Sequence, residues 1–154
     1  MALDSATGSG MSSILTRQKA ANLRDGIPSA AKRIEWLDKS IDLLITHGDA
    51  FNEAMCEDFG HRSKDQSAFT DIASSIAALK FAKKHLHKWM QPDKRGVEFP
   101  LNLLGSKAQI QFQPKGVIGV ISPWNFPVNL TFTPLAGVFA AGNRCMIKPS
   151  EFTE

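Results

Sequence analysis

Long apolar runs are missing from this chain: proline, asparagine or glycine cuts each one short of the ~20 residues that span a bilayer. The N-terminus also has no basic-then-apolar order. Stable membrane insertion and signal-peptide secretion are therefore unsupported, and a cytoplasmic location is expected. Cysteine is scarce. Cys56 and Cys145 stand alone without C-x-x-C spacing, which argues against a disulfide framework and for reduced thiols. Histidine is equally thin: His85 and His87 lie about 200° apart around a helix, and His47 and His61 adjoin glycines, so no metal site is expected. No strong excess of either charge exists. Lys plus Arg number 18 against 15 Asp plus Glu, a net +3 that is too small to argue for nucleic acid. Lys83, Lys84, Lys88, Lys94 and Arg95 do gather, with Phe81 and Trp89 at helix-packing positions; the cluster reads as a solvated helix face, with an anionic partner as the alternative. No internal repeat occurs. The one low-complexity stretch is MALDSATGSG, a flexible leader or an added segment ahead of a natural start at Met11.

What is present, 43% hydrophobic and 21% charged residues over a 154-residue chain, suits a globular domain with a sizeable core. Residues 1–28 form an arm, and 29–92 read as helical. Ile34, Leu37, Ile41, Leu44 and Ile45 recur at helical steps after a possible N-cap at Ser29, with Gly48 as a stop. Asp49 can cap a second helix with Phe51, Ala54 and Met55 on one face and Gly60 ending it. A third pattern, Phe69, Ile72, Ile76, Leu79, Ala82, Leu86 and Trp89, stops at Pro92.

After Pro92 the periodicity changes. RGVEFP and KAQIQFQPKG predict a β-ribbon over 93–115, the second strand alternating Ala108, Ile110 and Phe112 with glutamines. Such a ribbon has a free edge that needs a partner, so it is a candidate oligomerisation element. From 116 to 154, GVIGVIS and RCMIK predict parallel strands buried on both faces, joined by an apolar helix from Pro127 to Ala141 that Pro134 interrupts. The expected class is α/β, and a βαβ unit binds ligands outside the carboxyl ends of its strands. Ser122 to Phe126 follow the first strand, and Lys148 to Glu151 close the second.

Glu151 stands where an acid commonly takes both hydroxyls of a ribose, and Lys148 can reach the same sugar or a phosphate; both can equally be solvated loop charges. No G-x-G-x-x-G follows the first strand, so no standard pyrophosphate cradle is visible. Asn125, between Pro123 and Pro127, suits an amide aimed at a developing oxyanion, or a cap for the helix that follows. Cys145, inside RCMIK, reads as a core thiol, and Cys56, followed by Glu57 and Asp58, has no cationic neighbour to make it a nucleophile.

SPWNFP, AAGN and IKPSE, in that order and spacing, resemble the signature run of the aldehyde dehydrogenase superfamily. CEDFGHRS at 56–63, HLHKWM at 85–90 and FQPKGVIGVISPWNFP resemble its coniferyl aldehyde dehydrogenase branch, so that the similarity runs from about Ile27 to the end. The resemblance implies N-terminal helices, a β-ribbon and the first βαβ unit of a Rossmann-like NAD(P)-binding domain. It implies NAD or NADP as cofactor, an aromatic or long apolar aldehyde as substrate, and a homo-oligomer. By it, Asn125 matches the catalytic oxyanion-hole amide and Trp124 a wall of the substrate and nicotinamide channel. Lys148 and Glu151 match the residues that hold the adenosine ribose, and Ile121 and Ser122 the floor beside the cofactor. The family's nucleophilic cysteine and general-base glutamate match nothing in these residues. A non-catalytic oligomerisation or interaction module is the rival expectation.

Overall fold

A computed structural model describes residues 5–153. Helix α1 spans Ser5–Asp25, α2 Ala30–Thr46, α3 Gly48–Phe59 and α4 Lys64–Ser67. A π-helical turn, Ala68–Ala73, then runs directly into α5, Ser74–Trp89. Strands β1 (Asp93–Arg95) and β2 (Ala108–Ile110) form an antiparallel ribbon. Strands β3 (Val117–Ile121) and β4 (Arg144–Lys148) pair in parallel around the crossover helix α6 (Asn129–Ala140). The α/β class and the βαβ unit are as expected.

Local signals set several boundaries. Ser29 caps α2, its hydroxyl accepting the Lys32 N–H at 3.3 Å. Gly60 ends α3 at φ 75°, the left-handed conformation that costs a residue without Cβ little. Leu37, Leu44, Leu79 and Leu86 are fully buried where α2, α5 and α6 meet. Lys83, from the basic cluster, pairs with Asp38 of α2 at 2.6 Å.

The structure corrects several expectations. The flexible leader is helical from Ser5, and the arm is anchored: Arg144 donates to Gln18 and Asp25, at 3.3 and 2.6 Å. These partners lie more than a hundred residues away, beyond the reach of a local composition argument; residues 1–4 of the leader lie outside the described residues. Asp49 sits inside the first turn of α3, whose cap position is His47. Ile45 and Phe69 face solvent rather than the core, Phe69 because the wide π turn rotates the helix face at that point. The ribbon is shorter than expected, with β1 at Asp93–Arg95, mostly ahead of RGVEFP, and every residue of β2 is exposed. Helix α6 runs through Pro134 without a break. Strands β3 and β4 are not covered on both faces: Val120 and Ile118 pack on Leu135 and Val138, but Ile121 is 80% exposed.

Gly142 closes α6 at φ 79° against a buried arginine. Arg33 donates to the carbonyls of Ala140 (2.8 Å) and Pro28 (3.1 Å), and a Cβ on residue 142 would sit 2.7 Å from its Cζ. Gly142→Ala is therefore expected to lower stability by about 1–3 kcal/mol, read as a fall in urea midpoint, because it combines a left-handed backbone with a displaced buried cation.

Candidate functional site

The parallel register aligns Ile121 with Lys148, and the Ser122 N–H donates to the Lys148 carbonyl at 3.0 Å, so the two strands end side by side. Of the six residues singled out from the sequence, four gather at this edge. Ile121 is exposed. Ser122 is 3% exposed and its hydroxyl is turned inward to Thr131 Oγ1 at 2.5 Å, so its side chain ties the strand end to α6 and does not face solvent. Lys148 Nζ reaches Glu151 Oε2 at 2.9 Å, and both side chains are open to solvent. Hydrogen bonding to the Lys148 ammonium holds the Glu151 carboxyl below the usual range, keeping it an acceptor.

Trp124 and Asn125 lie on the loop that leaves β3. Trp124 is exposed on one side and tilts against Phe59, ring centres 6.3 Å apart. The Asn125 side chain is exposed and makes no hydrogen bond among the described residues, whereas its main-chain carbonyl accepts from Arg62 Nη1 at 2.7 Å. This removes the cap reading of Asn125. Helix α6 begins four residues later, and its first N–H groups are taken from outside: Asp71 Oδ1 accepts from Val128 N (3.2 Å) and Asn129 N (3.1 Å). An amide whose N–H groups are free and whose backbone is held can donate to a charge that develops beside it.

Asp71 lies in the π turn, fully buried, and its other oxygen accepts from Arg62 Nη2 at 2.6 Å. The Arg62 guanidinium lies near the rings of Phe59 and Phe126, at 4.9 and 5.1 Å from their centres. Asn129 Nδ2 donates to Thr70 O (2.7 Å) and Ser74 Oγ (2.6 Å), so the first residue of α6 is bonded through its side chain as well as its N–H to the π turn and the start of α5. Sequence reasoning passed over Arg62 and Asp71. Beside the loop, Phe69, Ala73, Ala77, Phe126 and Leu130 line a mainly apolar groove of about 640 Å³.

Both cysteines are free and half-buried, Cys56 in α3 and Cys145 in β4. Cys145 packs among Val120, Leu135 and Val138, and burial pushes its thiol pKa up, away from the thiolate. No cluster of three or more metal-ligating side chains occurs among the described residues, and no helix there is long and apolar enough to cross a membrane.

The profile of the aldehyde dehydrogenase family matches residues 17–154. A probable coniferyl aldehyde dehydrogenase of Caulobacter vibrioides is 62% identical over 144 residues, which cover 93% of this chain and 30% of that protein. Among solved structures, a substrate-bound state of Staphylococcus aureus AldH superposes with TM-score 0.83 at 30% identity, covering 93% of this chain and 31% of the other. PnpE in complex with nicotinamide adenine dinucleotide superposes with TM-score 0.76 at 27% identity, covering 90% and 27%. The chain thus spans about a third or less of the proteins it matches.

Proposed function

This chain belongs to the aldehyde dehydrogenase family, and from that premise we propose that it supplies the N-terminal portion of an NAD(P)-dependent enzyme oxidising an aromatic, coniferyl-type or long apolar aldehyde to its acid. The observation that carries this reading is the Asn125 amide, free at its side chain and fixed through its backbone, on the loop leaving the β3 end of a βαβ unit. In the reaction, a thiolate from a cysteine outside residues 1–154 adds to the aldehyde carbon and the carbonyl oxygen becomes an alkoxide. Asn125 donates to that oxygen. A nicotinamide cofactor, when bound, would supply the hydride acceptor, and hydrolysis of the resulting thioester would release the acid.

The residues at the strand ends fit the cofactor. Glu151 is an ionised, exposed acceptor for the ribose hydroxyls, with Lys148 beside it. Ile121 offers an exposed apolar floor and Trp124 an exposed ring, while Ser122 contributes through its backbone, its hydroxyl being committed to Thr131. The PnpE complex supports NAD, and by charge Glu151 disfavours a 2′-phosphate. The apolar groove of Phe69, Phe126 and Leu130 supports an aromatic or long apolar aldehyde.

Two measurements on the full-length enzyme test this reading. Coniferyl aldehyde with NAD or NADP should give the acid with one reduced cofactor per aldehyde, and no turnover of any aromatic or long apolar aldehyde would reject the activity. Glu151→Gln should weaken NAD binding about 10- to 100-fold, since hydrogen bonds to a charged acceptor are the stronger kind, and should weaken NADP binding less. Because the folded carboxyl sits below its ordinary pKa, this contribution is present above the usual carboxylate range and is lost only as pH falls through the depressed value. An unchanged NAD affinity in the variant would make Glu151 a solvated loop charge.

A second reading, assembly through further copies, is favoured by one observation. Phe99, Leu101, Leu103 and Leu104, in the segment joining β1 to β2, are all more than half exposed. The two readings are compatible, because the catalytic part and the assembly element occupy different segments.

A further inference from the structure

Asp71 is the only fully buried carboxylate among the described residues, and nothing in the proposed chemistry uses it directly. Its two oxygens serve the two ends of one short segment. Oδ1 holds the N–H groups of Val128 and Asn129, and Oδ2 holds Arg62, which in turn holds the Asn125 carbonyl. We propose that Asp71 and Arg62 are positioning residues that aim the Asn125 amide at the aldehyde oxygen, an inference that rests on the reading of Asn125 as the oxyanion donor.

The geometry makes the link directional. A backbone carbonyl held at 2.7 Å by a guanidinium fixes the peptide plane after Asn125 and restricts the direction of its Cα–Cβ bond. Arg62 is held in place, because its other nitrogen is committed to a buried carboxylate and its guanidinium carbon lies over the rings of both Phe59 and Phe126. Only a planar fork can serve both acceptors; a lysine presents one point charge and can satisfy Asp71 or the Asn125 carbonyl with good geometry, not both. Asp71 itself is anchored by its place in the π turn, and Asn129 adds two bonds from α6, to Thr70 in that turn and to Ser74 at the start of α5. Removing the carboxylate outright would strand a buried cation, so the informative changes are the mild ones.

The experiment uses the full-length enzyme and follows single-turnover hydride transfer, cofactor affinity and melting temperature for Arg62→Lys, in the parent and in an Asn125→Ala background. Displacing a reacting-group donor by about an ångström costs up to about a hundredfold. Arg62→Lys is therefore expected to slow hydride transfer about 10- to 100-fold in the parent, with cofactor affinity kept, and to change it less than about threefold once Asn125 is alanine. A merely structural role would slow both backgrounds equally, and that result overturns the proposal, as does an unchanged rate in the parent. Asp71→Asn is the second variant, which keeps an acceptor for α6 while turning the Oδ2 position into a donor facing Arg62; it should show the same dependence on Asn125. If Asn125→Ala alone transfers hydride at the parental rate, the oxyanion reading falls and takes this inference with it. If Asn125→Ala is slow but both Arg62→Lys and Asp71→Asn are not, the inference falls alone.

Discussion

Replacing Asn125 by alanine in the full-length enzyme is expected to lower kcat by about 10²- to 10³-fold, while cofactor affinity and melting temperature stay near the parent's. The kinetic half of this expectation follows from where the donor acts. An amide that hydrogen-bonds an aldehyde oxygen only weakly in the ground state and strongly once that oxygen is negative contributes mainly to the transition state, so its loss appears in kcat. The stability half follows from the structure. The side chain is exposed and bonds to nothing among the described residues, the carbonyl that Arg62 holds survives the substitution, and the first turn of α6 is capped by Asp71. A residue serving as helix cap would instead lose roughly 0.5–2 kcal/mol on becoming alanine and keep its turnover. Thermal melts and single-turnover hydride transfer on the same preparation separate the two. An early melt with parental hydride transfer would return Asn125 to a structural role.

The sequence was most legible where one residue decides its own neighbourhood. Ser29 as cap of α2, Gly60 as stop of α3 and the pairing of GVIGVIS with RCMIK follow from local chemistry or period, and the structure has all of them. Legibility failed where a distant partner decides. The arm is anchored through Gln18 and Asp25 to Arg144, a residue on the far strand of the βαβ unit. The apolar face beginning at Phe69 is broken by the π turn, which exposes that ring and buries Asp71 next to Ile72. An acid buried within an apolar helical pattern was the available signal, since such a group needs partners. The pattern could not say that those partners are Arg62 and the start of α6. Asn125 was ambiguous from sequence for the same reason: whether it caps depends on whether something else already does.

A polypeptide of these 154 residues alone is expected to form no reduced cofactor from any aldehyde above the uncatalysed rate. Hydride cannot leave a free aldehyde carbon without an electron-rich substituent on it, and a covalently bound sulfur provides one while placing the oxyanion beside its donor. In the proposed mechanism Asn125 is the donor and the attacking thiolate comes from outside residues 1–154. Cys145 lies within β4, packed on Val120 and Leu135, with burial favouring its protonated form, and Cys56 is a half-buried residue of α3. Without a nucleophile no thioester forms, and loss of a nucleophile from a covalent mechanism can reach about 10⁶-fold in kcat. The assay is reduced-cofactor absorbance with coniferyl aldehyde and either NAD or NADP, run beside the full-length enzyme at equal molarity. Turnover by the 154-residue chain that persists in the Cys56→Ser, Cys145→Ser double variant would place the chemistry on residues other than cysteine and overturn the covalent mechanism. Turnover abolished by Cys145→Ser alone would mean that β4 opens far enough to expose a thiol now packed against α6, and the proposal that the nucleophile lies outside residues 1–154 would fall.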